Sequence, residues 1–397
     1  MANTILTPTM VTREALRILH QKLNFIGTIN RQYDSSFAQS GAKIGDSLKI
    51  RLPNQYTIRS GATLSTQDVS EASTTLQIAT QKGVDVTFSS AELTLSLDDF
   101  SKRILQPAMA VLAANVESDA YSMYKDVANM VDSDAAAITF LDIMKGRRRL
   151  NETLAPLDDN RVAMLTPKHE VTLVDALKGL FHDSSAIKEQ YREGMMGRTA
   201  GFDFYENSLV SDHTTGTAAK TTAYLSNGAT QSGAAITVDG GTTTFLVGDV
   251  ITFAGVNAVH PETRADLGYL KQFVITANSG ATATSLAISP ALVASGAKQN
   301  GSGTIADNSA VVKIGAGASE LLTTSMVYHQ DAFCFATADL QMPNGVDFAA
   351  REVYDGISLR IVRQYAISTD TFPCRIDILY GYKAIRPEIA CRLHADG

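Results

Sequence analysis

The sequence predicts an α+β fold with an all-β module inserted into an α/β layer. Three observations carry this: one long helical pattern, several strictly alternating strands, and a sharp change of composition near residue 216. The helical pattern runs from Leu97 to Val131. Phe100, Ile104, Ala108, Val111, Leu112, Val116, Ala120, Met123, Val127 and Met130 recur at steps of three and four, which places them on one face of a helix over 98–130. Lys102, Asn115, Glu117, Ser118, Ser122, Lys125 and Asp126 fall mostly on the other face. Asp98 and Asp99 suit a helix N-terminus, and Pro107 predicts a kink or short break. A continuous helix of this kind is ~45 Å long at ~1.5 Å per residue, a strut suited to an extended subunit.

The other elements follow in chain order. Residues 12–29 read as an amphipathic helix, with Leu16, Leu19, Leu23 and Ile26 on one stripe and Thr12 as its cap. In residues 31–82, Leu48, Ile50 and Leu52 alternate with Lys49 and Arg51, and Pro53 ends that strand. A polar tract follows, and alternation returns at Leu76, Ile78, Val84, Val86 and Phe88. This predicts an extended hairpin that buries too little to be stable by itself and rests on another surface. Residues 139–150 predict a short helix, residues 161–167 a buried strand and residues 169–181 a helix, so 138–212 form an α/β layer. Residues 216–317 hold fourteen of the 28 glycines and only ten charged residues, and short β runs recur between turn signals. That is a small barrel or sandwich. Residues 318–397 return to hydrophobic strands, so the β module lies inside the α/β region, not beside it.

The chain has 397 residues and a net charge of −7, which argues against strong nucleic-acid affinity overall. The charge is uneven: residues 1–60 carry a balance of +5 and residues 61–215 a balance of −9. A basic segment on an acidic body points to an acidic partner or a neighbouring subunit, with a solvated arm as the equal alternative. Cys334, Cys374 and Cys391 are widely spaced and read as buried hydrophobes in a reducing compartment. No secretory pattern opens the chain, and no apolar run approaches the ~18 residues of a membrane span. The expectation is a protein without membrane contact, made in the cytosol.

Chemistry-bearing motifs are missing. His169-Glu170 starts like a zinc motif, but Leu173 stands where the second histidine is required. Gly315-Ala-Gly317 lacks the third glycine of a dinucleotide loop. Asp132-Ser-Asp134 resembles a calcium loop without its turn glycine, since Ala137 takes that place. Arg147, Arg148 and Arg149 suggest a nucleic-acid patch, yet a solvated helix face is the better-supported reading. No catalytic, cofactor-binding or metal-ligating residue is assigned, no cofactor is expected, and the protein reads as not an enzyme.

Three stretches carry a family resemblance. Tyr191-Arg-Glu-Gly194 followed by Ala200-Gly-Phe-Asp203 is similar to a segment preceding the inserted domain in P22-type coat proteins of short-tailed Salmonella phages. Gly248-Asp-Val-Ile-Thr-Phe-Ala-Gly-Val256 resembles a strand inside that insertion. Cys374-Arg-Ile, Tyr380-Gly381 and Arg386-Pro-Glu388 resemble the strand near that family's C-terminus. Together they span about 200 residues in the expected order. The resemblance is to major capsid proteins of tailed bacteriophages, with the Hong Kong 97-type fold. It implies an N-arm (1–30), an E-loop (31–82), a P-domain (83–137) with spine helix 98–130, and an A-domain beginning at 138–215. It further implies an inserted β I-domain (216–317), with the A-domain remainder and returning P-domain strands over 318–397. The implied function is self-assembly into hexamers and pentamers of an icosahedral shell around double-stranded DNA, in the host bacterial cytoplasm. A scaffolding protein and a portal are implied during assembly, with weak, non-specific contact to packaged DNA and a final place in the virion capsid. The segment from Val259 to Tyr269 would reach a neighbouring capsomer or be a plain surface loop. Lys43 and Lys49 lie in the E-loop, but no lysine–asparagine cross-link is expected in this subfamily. The alternatives are a cytosolic bacterial enzyme with a β-sandwich insertion, a surface adhesin, and a tail-tube protein.

Overall fold

Helix α1 spans Pro8–Lys22. The computed structural model describes residues 8–31, 47–59, 61–64, 66–67, 73–89, 105–133, 137–177, 197–315, 317–354, 356–369 and 371–394. The chain divides into two units. The first comprises Met1–Ile50, Ser73–Tyr121 and Phe333–Ile385; the second comprises Arg51–Ala72, Ser122–Ala332 and Arg386–Gly397.

In the first unit, α1 turns Val11, Ala15, Leu16, Ile18 and Leu19 inward. The expected single helix over 12–29 is two helices, α1 and α2 (Phe25–Thr28). Thr12, expected to cap, lies inside α1 and is buried. The expected spine helix 98–130 ends early. Helix α3 spans Gln106–Tyr121, and a 3₁₀ turn occupies Ser122–Asp126. Asp98, Asp99, Phe100, Lys102 and Ile104 lie outside the described residues. Pro107 is the second residue of α3 and follows the π-helical Leu105, and the chain before Leu105, where a kink would be judged, lies outside the described residues. Met130 continues the helical period in sequence, yet it lies in strand β5 (Met130–Asp132). Periodicity counts apolar spacing and cannot tell a helix face from a short strand that finds a partner in a distant segment.

The buried face of α3 also differs from the expected stripe. Val111 is 62% exposed, whereas Met109, Ala113 and Glu117 are buried. Phe25 packs edge-on against Tyr121 at 5.1 Å and Phe333 at 5.6 Å, joining α2, α3 and the sheet.

The sheet of this unit runs β1 (Asn30–Arg31), β18 (Phe333–Ala338), β21 (Thr371–Ala384), β20 (Ile357–Arg363), β19 (Phe348–Tyr354). The fourteen-residue β21 also pairs with β4 (Thr80–Ser89), from Phe88 opposite Phe372 to Thr80 opposite Tyr380. The expected strand run 76–88 is therefore two strands, β3 (Ser73–Gln77) and β4, and it is β3 that pairs with β2 (Ser47–Arg51). Gly381 explains the close crossing: a Cβ there would sit on the Gln77 carbonyl oxygen.

The second unit holds an α/β layer and a barrel. Its sheet runs β5, β22 (Ala390–His394), β17 (Ser325–His329), β6 (Arg161–Leu165), β8 (Phe202–Glu206), β7 (Arg198–Thr199). Strands β6, β17 and β22 are buried at every residue, as expected of strands covered on both faces. Helix α4 (Phe140–Glu152) starts at a capping box, with Thr139 as N-cap and Asp142 reaching back to it. Helix α5 (Pro167–Leu177) follows β6. Arg161 is buried because its guanidinium is fully engaged, donating to Pro156 O, Asn151 Oδ1 and Ala155 O at 2.7–2.8 Å.

Between short strands β9 (His213–Thr214) and β16 (Leu321–Leu322) lies a closed barrel in the order β10 (Thr221–Ser226), β11 (Gly233–Asp239), β14 (Ser285–Leu292), β13 (Asp266–Ile275), β12 (Val250–Val259), β15 (Ala310–Lys313). Its interior is filled by Tyr224, Ile236, Phe245, Phe253, Phe273 and Leu286, among others. The choice between barrel and sandwich is decided by β10, a strand the sequence pattern does not single out. It pairs with both β11 and β15 and so closes the ring.

Candidate assembly surfaces

Two features of the second unit bear on function: an exposed apolar loop and the polar seat that holds the barrel. In the loop, Thr57 and Gln67 hold each other through two hydrogen bonds, Thr57 N donating to Oε1 at 2.9 Å and Nε2 donating to Thr57 O at 2.6 Å. Arg59 donates to the carbonyls of Gly61 and Thr63. These bonds shape the loop without burying it. Ile58 is 96% exposed and Leu64 78%, with Tyr56 also exposed. Isolated exposed apolar residues are ordinary, whereas here three share one locally closed loop.

The seat is built from side chains that bond backbone. Asp249 is buried and accepts from His213 Nε2 at 2.9 Å, Gly216 N at 3.0 Å and Leu246 N at 2.8 Å. Gly216 must be glycine, since a Cβ would strike the Thr244 carbonyl. Burial lowers the His213 pKa, so the ring is neutral near pH 7 and Nε2 carries the donated proton. Gln272 on β13 bonds both N and O of Met130 on β5, at 2.8 and 2.9 Å. Lys313 is buried and donates to Thr215 Oγ1 at 3.0 Å and Gly317 O at 2.6 Å. Tyr269 donates to Glu152 Oε2 at 2.8 Å, with the Arg149 guanidinium 3.4 Å from its ring centre.

The residues singled out in the sequence are spread through this framework. Arg147 lies against Gly201. Arg148 pairs with Glu152, and Arg149 stacks on the barrel, so the arginine run is not the plain solvated face expected. Asp132 accepts from Gly315 N at 3.2 Å, a structural bond between the two motif fragments. Lys49 is exposed on β2, while Lys43 and Tyr191-Arg-Glu-Gly194 lie outside the described residues. The three cysteines form no disulfide with described residues, and burial pushes the Cys391 thiol up to about 12. The stretch from Val259 to Tyr269 joins β12 to β13, closed by His260 N to Ala265 O and Arg264 N to His260 O, both 2.9 Å. Among the described residues no group of three His, Cys, Asp or Glu side chains could hold a metal ion. Sequence reading missed Glu117, Arg161, His213 and Gln272 as structural residues. The only signal was the acid in Gly248-Asp249.

Helix α5 carries two titrating neighbours. His169 is buried with Nδ1 2.8 Å from Ser325 Oγ, and burial, with His394 and Lys168 nearby, lowers its pKa to about 4. Glu170 is pushed up to about 7, first by burial and then by the charge of Glu206 and a hydrogen bond to it. The folded pKa is above the ordinary 4.5, so the folded state holds the extra proton between those values. Stability from this pair is complete below about 4.5 and lost as pH rises through 7. His169 acts with the opposite sign between about 4 and 6.5, so the urea midpoint is expected to fall between pH 6.5 and pH 8, where only Glu170 titrates of the two, and Glu170→Gln to flatten that slope. An unchanged slope in the variant would assign the effect elsewhere.

The family model described as P22 coat protein, gene protein 5, matches residues 3–393. No curated protein matches the chain. Among solved structures, one titled Mycobacterium phage Che8 is similar at 12% identity and a TM-score of 0.49, covering 94% of this chain and 90% of that one. The mature capsid of bacteriophage PhiM1 is similar at 12% and 0.47, covering 94% and 87%. The capsid of Ralstonia phage GP4 is similar at 9% and 0.43, covering 95% and 92%.

Proposed function

The chain belongs to the P22 coat protein family, and from that premise we propose how it builds its shell. It is a major capsid protein of a tailed phage, with the α+β Hong Kong 97-type fold expected from its sequence. The finer assignments are our reading. Residues 1–30 act as N-arm, 31–82 as E-loop, 83–137 as P-domain, 138–215 with part of 318–397 as A-domain, and 216–317 as I-domain. Copies assemble as hexamers and pentamers around a scaffolding protein and a portal, in the host cytoplasm, and later enclose DNA with weak contact. The chain's role is structural, with no catalytic step. The turn from Val259 to Tyr269 reaches a neighbouring capsomer.

The observation that carries this reading is the loop bearing Tyr56, Ile58 and Leu64. An isolated subunit gains nothing from exposing these side chains, whereas each buried on a neighbour contributes roughly 1.5–3 kcal/mol. The test is electron microscopy of the protein expressed with its scaffold. Closed shells tens of nanometres across are expected from the natural sequence. Ile58→Asp with Leu64→Asp should give folded but unassembled protein. Discrete monomers from the natural sequence, or normal shells from the double variant, would overturn the reading.

A further inference from the structure

We propose that the cleft between α4 and the barrel wall binds a small phosphate-class anion carrying two or more charges. The cleft has a volume of about 430 Å³ and is lined by Lys145, Arg148, Arg149, Lys220 and Lys313, with Asp132 as the one carboxylate. In a chain of net charge −7, five cations around one opening are a local reversal of sign.

Arg149 is the central group. Its guanidinium carbon lies over the Tyr269 ring, 3.4 Å from the ring centre, and its nitrogens make no hydrogen bond to any described residue. Tyr269 is itself held, donating to Glu152, so the stacked arginine is fixed in place. A planar fork of five donors, preoriented and without protein acceptors, matches the oxygens of a phosphate group. Arg148, one residue earlier on α4, engages Glu152 through Nε at 2.6 Å and leaves its outer nitrogens without an acceptor among the described residues. Lys145 is 2.9 Å from Asp142 Oδ1 and has two donors left. Buried Lys313 contributes charge, because its bonds run to Thr215 and Gly317.

Nearby acids do not fill the role. Asp132 accepts from Gly315 N, Asp142 closes the cap of α4, and Glu152 serves Arg148 and Tyr269. They offset part of the positive charge without reaching the Arg149 donors. A lone carboxylate would neutralise one charge, whereas pyrophosphate supplies several and enters a cleft of this size with room left for water.

The test is calorimetric titration of the unassembled full chain with sodium pyrophosphate at fixed ionic strength. Saturable binding to one site is expected. Arg149→Gln should weaken it about tenfold and Lys145→Gln about threefold, the latter with an unchanged unfolding midpoint. If Arg149→Gln fails to fold, the half-exposed Lys145 carries the test alone. No saturable heat would overturn the proposal, as would binding that both substitutions leave unchanged. Carbodiimide cross-linking of isotope-mixed shells that joins Lys145 to a carboxylate of a second copy would also overturn it, by showing that a neighbour fills the cleft. The titration needs no shell, so its failure is separate from failure of assembly.

Discussion

Glu117→Ala is expected to destabilise the first unit by about 3 to 5 kcal/mol, among the largest single losses available in the chain. Glu117 sits on α3 with no exposed surface. Its carboxylate accepts from the Phe25 and Ile26 amides, the first two N–H groups of α2, the latter at 3.2 Å. Those donors have no partner within so short a helix, and Asn24 makes no side-chain cap, so the acid of another helix completes it. Removing the carboxylate strands two buried donors and opens a cavity beside Phe25. Glu117→Gln keeps an acceptor and should lose about half as much. Urea unfolding gives the magnitude. Limited proteolysis gives the location, since cleavage within residues 8–28 should accelerate. A variant with unchanged midpoint and unchanged cleavage would show that apolar packing alone holds the N-terminal helices.

Asp249→Ala is expected to loosen the barrel seat at a similar scale, about 3 to 5 kcal/mol. Three donors converge on this carboxylate, from His213, Gly216 and Leu246. His213 also lies edge-on to Tyr124, with ring centres 5.8 Å apart, so losing the acid frees a ring packed at the base of the barrel. The barrel interior is a separate apolar cluster and should survive. Hydrogen exchange distinguishes the two regions. The Gly216 and Leu246 amides should exchange faster, while those of Ile236 and Phe273 keep their protection. Equal acceleration across both sets would mean that Asp249 stabilises the barrel as a whole and not its seat.

Much of this architecture is legible in the residues. Alternation at Leu48, Ile50 and Leu76 marks β2 and β3, because a pleated strand turns every second side chain to the same face. The Thr139–Asp142 spacing marks the start of α4. Glycine and the scarcity of charge mark the barrel region, although not its closure. What fails is informative. The helical period continues past Tyr121 through Val127 and Met130, yet Met130 pairs with Arg392, more than 250 residues away in sequence. Helical spacing puts Glu117 on the polar face, and only the amides of α2 make its burial favourable.

The sequence by itself therefore determined the family, the α+β class, the strand and helix types and the presence of an all-β segment. The family follows from the three stretches that resemble it, and the rest from local periodicity and composition, which act over a few residues. Only the tertiary structure decided where α3 stops, that the β segment closes as a barrel, and that Glu117, Asp249 and Arg149 hold buried or stacked positions. Those outcomes depend on hydrogen-bond partners and charges brought together from distant parts of the chain, and no local pattern encodes them.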